Sequence, residues 1–191
     1  MKKKLAILLM LLGILAALLA AGLWGYNLYE DAQAEDSAQQ ILQALIPQVE
    51  PKEDVDPFNE EMTIVQIDGY GYVGYLTIPT LQLDLPVMAS CDQARLKIAP
   101  CRYYGSTKTD NLVIAAHNCK SHFGTLKTLN VGDLVTFTDM DATQSHYAVT
   151  SVEILSPTAV DRVKDTGDDL ILYTCTYSGA QRVVVRCSYI Q

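Results

Sequence analysis

The sequence has few positive charges. It contains 14 Lys and Arg residues against 22 Asp and Glu residues, for a formal net charge of −8. Three of the basic residues are Lys2, Lys3 and Lys4, which leaves 11 basic residues against 22 acidic ones in the rest of the chain. An acidic surface repels phosphate backbones, so we do not expect nucleic acid as a partner. We interpret the negative charge as a source of solubility, and it does not indicate a substrate.

No charged residue occurs between Leu5 and Trp24. An uncharged apolar run of 20 residues is not an ordinary amphipathic surface helix, and at about 1.5 Å per residue it would cross a bilayer core of about 30 Å. The three lysines before it favour a cytoplasmic N-terminus. We therefore predict a cytoplasmic stub and signal anchor over residues 1–25 in a single-pass type II membrane protein, with the remainder outside the cell.

A cleaved signal peptide is the alternative to an anchor. Ala32-Gln33-Ala34 is a weak small-x-small cleavage site. It lies well beyond the apolar run, however, and the run is long for the hydrophobic region of a signal peptide. We favour the uncleaved anchor.

Residues 26–62 are predicted to be an extracellular helix followed by a linker arm. The segment from Glu30 to Ile46 predicts an exposed helix with Ile41, Leu42 and Leu45 on one stripe, and Pro47 ends it. The acidic, proline-bearing segment 48–61 then predicts a linker or an arm that follows the surface.

The cysteines lack the spacing of a zinc site. There are five: Cys91, Cys101, Cys119, Cys175 and Cys187. Disulfides are permitted outside the cell, and an odd number leaves at least one thiol free if all pairing is internal. Cys91 with Cys101, and Cys119 with Cys187, are pairs that would leave Cys175 free. The alternative is that these four are small buried apolar residues.

Residues 63–191 are predicted to form one mostly β domain. The strands, recognised by apolar runs, alternation and turn residues, are predicted at 72–78, 81–87, 111–117, 134–138, 147–155, 170–175 and 182–189, with a short helix at 123–129. Seven or more closely spaced short strands with little helix favour a closed or nearly closed β-barrel.

Three chemically active residues stand at strand ends. Leu170-Ile171-Leu172-Tyr173-Thr174-Cys175 reads as a strand that ends in a thiol, and Arg182 opens the next strand after a turn. Far upstream, an apolar strand ends at His117. A thiol, an imidazole and a guanidinium at strand ends are the components of a cysteine acyl-transfer site.

Each of these residues also has a structural alternative. A lone cysteine in an apolar strand is usually buried and inert, and a lone histidine is usually a core or surface residue, as we expect for His122 and His146. Arg186 lies on the same strand face as Arg182 and is either unrelated to the site or an accessory contact. Position at the strand ends favours Cys175, His117 and Arg182 as catalytic residues, and the choice of Arg182 over Arg186 rests on the family resemblance described next.

Together these motifs resemble the sortases, the membrane-anchored cysteine transpeptidases of Gram-positive bacteria. The Thr-Cys pair, the following arginine and the upstream histidine occur in the sortase order, and the resemblance covers residues 71–191. It implies an eight-stranded barrel in which Cys175 is the nucleophile, His117 protonates the leaving amine and Arg182 stabilises the oxyanion or grips the substrate. Thr174 and Asn118 are the substrate-binding residues that it suggests.

The sortase class stays open. The Ala116-His117-Asn118-x-Lys120 segment resembles class B sortases, but the long helical insertion of that class is absent between Leu155 and Leu170. The second membrane helix common in pilin-building class C sortases is also absent after the last predicted strand. Asp56-Pro57-Phe58 nevertheless resembles the lid of class C enzymes. A proline-stiffened spacer is the alternative interpretation of that tripeptide.

The resemblance implies cleavage of a sorting signal similar to Leu-Pro-x-Thr-Gly in secreted proteins. The acyl group would pass from Cys175 to an amine of a cell-wall precursor or of a pilin. No cofactor is expected, and we interpret Asp139 and Asp141 as turn residues rather than a calcium site. A cysteine peptidase that uses water as the acceptor and a non-enzymatic surface module are the alternatives.

Overall fold

A computed structural model describes residues 2–52, 60–159, 162–164 and 166–190. The chain divides into two compact units, residues 1–33 and 34–191. The first helix, α1 (Lys2–Leu45), contributes residues to both units.

The first unit is helical and apolar. Its large side chains from Leu5 to Leu23 are all exposed, and the most apolar 18-residue window has a mean hydropathy of 2.8 with none of its residues buried. A water-soluble helix does not expose such a face along its whole length, whereas a helix surrounded by lipid does. The helix is therefore a candidate membrane anchor.

The end of α1 belongs to the second unit. Ala38, Leu42 and Leu45 are buried there, and Ile41 is partly buried. A helix was predicted for residues 30–46 and is present, but the prediction that it is exposed is wrong, because its apolar stripe packs against the β domain. The same residues that indicate an amphipathic helix supply the contact.

Among its described residues, the second unit contains nine β-strands. They are β1 (Val65–Ile67), β2 (Tyr70–Ile78), β3 (Leu83–Met88), β4 (Cys101–Tyr104), β5 (Leu112–Ala115), β6 (Leu134–Asp139), β7 (Gln144–Leu155), β8 (Leu170–Cys175) and β9 (Arg182–Tyr189).

The strands form a closed barrel. Their order is β1-β2-β3-β4-β5-β8-β9-β7-β6, and β6 pairs back onto β2. Eight strands, β2 to β9, close the ring, and β1 is added beside the start of β2. The β3–β4 and β5–β8 pairs are parallel, and the other pairs are antiparallel. The predicted eight-stranded barrel is confirmed.

Gly74 permits the ring to close. Its φ is +148°, and a Cβ at this position would lie 2.1 Å from the carbonyl oxygen of Thr138 on β6. The β2–β3 register shifts between Tyr72 and Gly74, as at a β-bulge. A side chain here would push β6 away from β2, so the glycine is required by close backbone approach.

Alternating side chains divide the apolar residues between the inside and the outside of the barrel. Leu172, Val183 and Val185 belong to the interior core, whereas Ile171 and Val184 belong to a separate cluster on the outer face. This outer cluster also includes Tyr103 and Tyr173 and lies beside the ends of β8 and β9. The barrel is thus apolar on both sides where those strands run.

The prediction and the structure differ at three elements. The strands β1 and β4 were not predicted, and the helix predicted for residues 123–129 is reduced to one 3-10 turn, Leu126–Thr128. Leu126 and Leu129 are buried as expected. The segment before this turn is folded on itself by a hydrogen bond from Gly124 N–H to Cys119 O (2.8 Å), which leaves no room for a regular helix.

The described parts of the arm follow the barrel surface. Glu50 N–H donates to Met140 O (3.4 Å), and Lys52 Nζ lies 3.3 Å from the Asp141 carboxylate. At the far side, Ser106 Oγ donates to Glu60 O (3.0 Å), and Met62 is buried. Of the two alternatives for this segment, the surface-following arm agrees with these contacts.

Candidate active site

Two of the three predicted catalytic residues are opposed across a strand pair. Cys175 is the last residue of β8, Arg182 is the first of β9, and the two are direct partners in the antiparallel register. The turn between them is closed by hydrogen bonds from Thr176 N–H to Gln181 O (2.9 Å) and from Gly179 N–H to Thr176 O (2.8 Å). Directly opposed residues project from the same face of a sheet, so both side chains stand on the outer face of the barrel.

Backbone carbonyls of this turn hold the Arg182 side chain. Its Nη1 donates to Gly179 O (3.1 Å) and to Gln181 O (3.0 Å). A carbonyl orients a guanidinium without cancelling its charge, unlike a carboxylate. The positive charge beside Cys175 is therefore available to an anion that forms there.

His117 follows the end of β5, the strand next to β8. Ala115 is the register partner of Tyr173, and Ala116 N–H donates to Tyr173 O (3.2 Å). Two residues beyond this pair come His117, which is exposed, and Cys175, which is half-buried. The parallel register therefore brings the imidazole-bearing and thiol-bearing residues to the same edge of the barrel.

Thr174 does not have the position expected of a substrate-binding residue. It is 2% exposed, and its Oγ1 donates to Ala116 O (2.8 Å). The side chain points into the barrel because its neighbours Tyr173 and Cys175 point out. Its hydroxyl joins β8 to the residue before His117, so it fixes the positions of the two strand ends.

The loop after His117 is tightly folded. Phe123 N–H donates to His117 O (3.2 Å), and the Phe123 side chain is fully buried. A Cβ on Gly124 would lie 2.7 Å from Cys119 O and 3.3 Å from Asn118 Oδ1. These contacts hold the backbone around His117, and they place the Asn118 side chain against the loop.

A pocket of about 170 Å³ opens beside Arg182. Its lining is mostly apolar and comprises Tyr103, Leu155, Ser156, Pro157, Ala159, Val163, Tyr173, Arg182 and Val184. Tyr103 and Tyr173 meet edge to face with ring centroids 5.3 Å apart, and burial raises the pKa of the Tyr173 phenol. An apolar pocket with one cationic end is suited to a short peptide whose carbonyl groups approach Arg182.

Arg186 anchors the loop that walls this pocket. Its guanidinium forms ion pairs with Glu153 on β7 and with Asp168, and Nη2 donates to Arg162 O (2.6 Å). Lys164 Nζ lies 4.8 Å from the centroid of the Tyr103 ring. Arg186 is therefore neither unrelated to the site nor a second anion-binding group, because its charge is already paired.

A family model described as the sortase domain matches residues 76–190, which include all three predicted catalytic residues. The chain belongs to the sortase family. Members of this family are cysteine transpeptidases. The family assignment agrees with the closed barrel and with the order of histidine, cysteine and arginine along the chain.

Individual sortases are similar over most of the chain. Sortase A of Bacillus anthracis is 26% identical over 180 residues, which cover 86% of this chain and 85% of that protein. The structure of a Clostridium perfringens sortase D5 transpeptidase matches with a TM-score of 0.65 at 17% identity, covering 82% of this chain and 99% of that one. Sortase C of Streptococcus pneumoniae matches with a TM-score of 0.57 at 23% identity, covering 85% and 89%. At these identities, the solved structures support the sortase fold.

The residues resembling the class C lid, Asp56, Pro57 and Phe58, lie outside the described part of the chain. The arm is held on either side of them, by Lys52 and by the contact between Ser106 and Glu60. The lid interpretation stays a prediction.

The acidic residues near the end of β6 have structural roles. Asp139 Oδ1 accepts the N–H groups of Asp141 and Thr143, each at 2.9 Å, as in an Asx-type turn. The Asp141 carboxylate lies 3.3 Å from Lys52 and 3.6 Å from Lys108. Within the described residues, no group of three or more His, Cys, Asp or Glu side chains could hold a metal ion.

The two remaining histidines differ sharply in environment. His146 is exposed and lies beside Thr136, with 3.1 Å between its Nδ1 and Oγ1. His122 is completely buried, and neither ring nitrogen has a hydrogen-bond partner among the described residues. Burial, together with the nearby His117, lowers the pKa of His122 to about 4.

Acid is expected to destabilise the folded protein through His122. The folded-state pKa is about 4 and the unfolded value is 6.5, so the unfolded chain binds the proton first as the pH falls. His122 in its neutral form contributes about 3 kcal/mol to the free energy of unfolding. This contribution is fully present above pH 6.5 and is lost progressively as the pH falls toward 4. Urea unfolding of the wild type and of His122→Leu at pH 7.5, 5.5 and 4.5 measures the free energy of unfolding as a function of pH. This free energy should depend less on pH in His122→Leu, and the control His146→Gln should keep the wild-type dependence. Equal slopes for His122→Leu and wild type would contradict the assignment.

Proposed function

We propose that this chain is a membrane-anchored transpeptidase that cleaves a sorting signal through a thioester on Cys175. The observation that carries the proposal is the direct pairing of Cys175 with Arg182, at the barrel edge where His117 also emerges. Family membership supports the same reaction class.

The reaction divides among the three residues. The Cys175 sulfur attacks the scissile carbonyl carbon as the thiolate, with the matching proton on His117, and Arg182 stabilises the negative charge on the carbonyl oxygen. His117 donates a proton to the departing amine, which leaves a thioester. An incoming amine then attacks the thioester, gives up a proton to His117 and releases the Cys175 thiolate.

The pocket favours the substrate class implied by the sortase resemblance. Tyr103, Tyr173 and Val184 in its lining are suited to compact apolar side chains, as in the Leu-Pro portion of a Leu-Pro-x-Thr-Gly-like signal. The Thr–Gly-type bond would then lie toward Arg182 and Cys175. Asn118, on the folded loop after His117, is a further candidate for contact with the substrate backbone.

The proposed location is the outer face of the cell membrane. The N-terminal apolar helix is preceded by three lysines, which favours a cytoplasmic N-terminus and a type II orientation. Secreted proteins that carry sorting signals, and amines of a cell-wall precursor or a pilin, would meet the enzyme there. The product would be a protein fixed covalently at the surface.

Product analysis tests the function. Residues 1–191 in detergent would be incubated with a panel of Leu-Pro-x-Thr-Gly-like peptides, alone and with oligoglycine, lysine or diaminopimelate as acceptors, and the products would be identified by mass spectrometry. We expect cleavage after threonine and joining of the acceptor. Free acid as the only product, even at high amine concentration, would indicate a cysteine peptidase instead. The absence of any Cys175-dependent product would contradict the proposal.

Arg182→Ala is expected to lower kcat/KM by about 10²–10³-fold, since it removes one fixed stabiliser of the developing oxyanion. Arg182→Lys should recover only part of this loss, because the guanidinium can direct its other N–H groups at the oxyanion while the turn carbonyls hold Nη1, and a compact ammonium cannot. Lys127→Ala, which removes an exposed positive charge from the 3-10 turn, is the matched control. Wild-type kcat/KM in Arg182→Ala would remove the residue from the mechanism. A lowered Tm would show that the loss reflects folding.

A further inference from the structure

Two cysteines meet at the ends of the β3–β4 crossover. This crossover, residues 89–100, leaves β3 after Met88 and returns so that Cys101 is the register partner of Met88. Met88 N–H donates to Pro100 O (2.8 Å), and Arg102 Nε donates to Ala89 O (3.2 Å). The two ends of the crossover are thus tied together, and Cys91 lies two residues beyond one tie.

The thiols of Cys91 and Cys101 are in contact. Cys101 is completely buried, Cys91 is half-buried, and both pack in the apolar cluster that includes Met88 and Ala99. A hydrogen bond between the two thiols lowers the pKa of Cys91 and raises that of Cys101. Thiols that hydrogen-bond to each other within one apolar cluster are placed for a disulfide, a bond that needs the two Cβ atoms about 3.8 Å apart.

The other three cysteines have different surroundings. Cys119 lies in the loop after β5 with its Sγ 3.5 Å from Ser121 Oγ, whereas Cys187 is buried in the interior core of the barrel. Cys175 is at the end of β8 on the outer face. The structure contains no disulfide at any of the five, so it tests neither predicted pair by a bond, but it separates Cys119 on the loop from Cys187 in the core.

We propose that Cys91 and Cys101 form an intramolecular disulfide that fastens the β3–β4 crossover, while Cys175 stays a free thiol. The location of the pair outside the membrane rests on the proposed topology, and disulfides persist in that compartment. The pair is a modification site separate from the proposed catalytic thiol.

The oxidant is a small or protein disulfide. The Cys91 thiolate attacks one sulfur of the oxidant, forms a mixed disulfide and releases one oxidant thiol. The Cys101 sulfur then attacks the Cys91 sulfur and releases the second oxidant thiol, which takes up the Cys101 proton. Two protein thiols are oxidised, and one oxidant disulfide is reduced to two thiols. Cys91 is the first to react because it is the less buried partner and the pKa of its thiol is lowered.

The cross-link would stabilise the surface on which the end of α1 packs. The cluster around the two cysteines includes Leu45 and Ile41 of α1 together with Leu96 and Ile98 of the crossover. Closing this loop covalently restricts the unfolded chain and holds those apolar residues under α1. Oxidation should therefore raise the stability of the β domain.

The test uses residues 1–191 in detergent, equilibrated with mixtures of reduced and oxidised glutathione, alkylated and digested without reduction. We expect a peptide pair joined through Cys91 and Cys101, with Cys175 alkylated. The Tm should rise by roughly 5 °C on oxidation. Cys91→Ser should lose both the cross-link and the oxidation-dependent Tm shift, and Cys119→Ser should keep both.

Failure to form the cross-link would overturn the proposal, and it has two forms. One is complete alkylation of Cys91 and Cys101 at every glutathione ratio, and the other is a glutathione adduct that persists on Cys91, because the second step has then failed. A disulfide between Cys175 and any other cysteine would also contradict it. None of these readouts is transpeptidation, so failure of the disulfide is distinguishable from failure of the proposed function.

Discussion

Cys175→Ala is expected to reduce product formation by about 10⁴-fold or more, to the detection limit. Alanine has no sulfur to form the thioester, and attack by the acceptor amine on an unactivated peptide bond is very slow. The wild-type protein, mixed with a sorting-signal peptide and no acceptor, should gain the mass of the acyl fragment. Cys175→Ala should not gain this mass. Intact-protein mass spectrometry and product formation together measure the effect.

The matched control is Cys119→Ala. This thiol is also half-buried and near His117 in sequence, but it lies on the loop after β5 rather than at the end of β8. Its loss should leave the rate near the wild-type value. Both variants should unfold near the wild-type Tm, because Cys175 is at a strand end outside the interior core. An acyl adduct that persists in Cys175→Ala would place the nucleophile elsewhere and refute the proposed chemistry.

The strands that bear the candidate site were predictable because each is a short apolar run with a polar residue at or next to one end. β5, β8 and β9 begin or end within a few residues of the predicted bounds, and the side-chain alternation places Cys175 and Arg182 on one face. What the sequence does not contain is the pairing of β5 with β8. The proximity of His117 to Cys175 depends on that long-range parallel register.

The elements that were not predicted lack a strong local signal. β1 has only three residues, and β4 contains Arg102 and is preceded by Pro100, so neither shows sustained alternation. The helix predicted at 123–129 has apolar residues at helical spacing. Hydrogen bonds that fold residues 117–124 into turns override that local preference.

Side-chain networks were the least predictable part of the site. Arg186 shares the strand face of Arg182, and only the positions of Glu153 and Asp168 distinguish their roles. Thr174 precedes the nucleophile in sequence, yet its hydroxyl is directed to Ala116 inside the barrel. Each role is decided by residues distant in sequence, so neither could be read from the neighbouring sequence alone.

His117→Ala is expected to lower kcat/KM for a peptide substrate by about 10³-fold, as for the loss of a general acid. An amine leaves a tetrahedral intermediate only when protonated, and His117 is the proposed donor of that proton. A substrate with a thioester in place of the scissile amide releases a thiolate, which needs no proton. The variant should therefore acylate with the thioester substrate at a rate much closer to that of the wild type.

This contrast between substrates separates proton donation from a structural role. A His117 side chain that only maintained the loop after β5 would slow both substrates equally when removed, because misplacing the strand ends affects every attack by Cys175. His146→Ala is the matched control, since it removes an exposed imidazole from β7. Its rates with both substrates should equal those of the wild type. If His117→Ala lowers kcat/KM equally for the amide and the thioester substrates, His117 has only a positioning role and another residue of the site donates the proton.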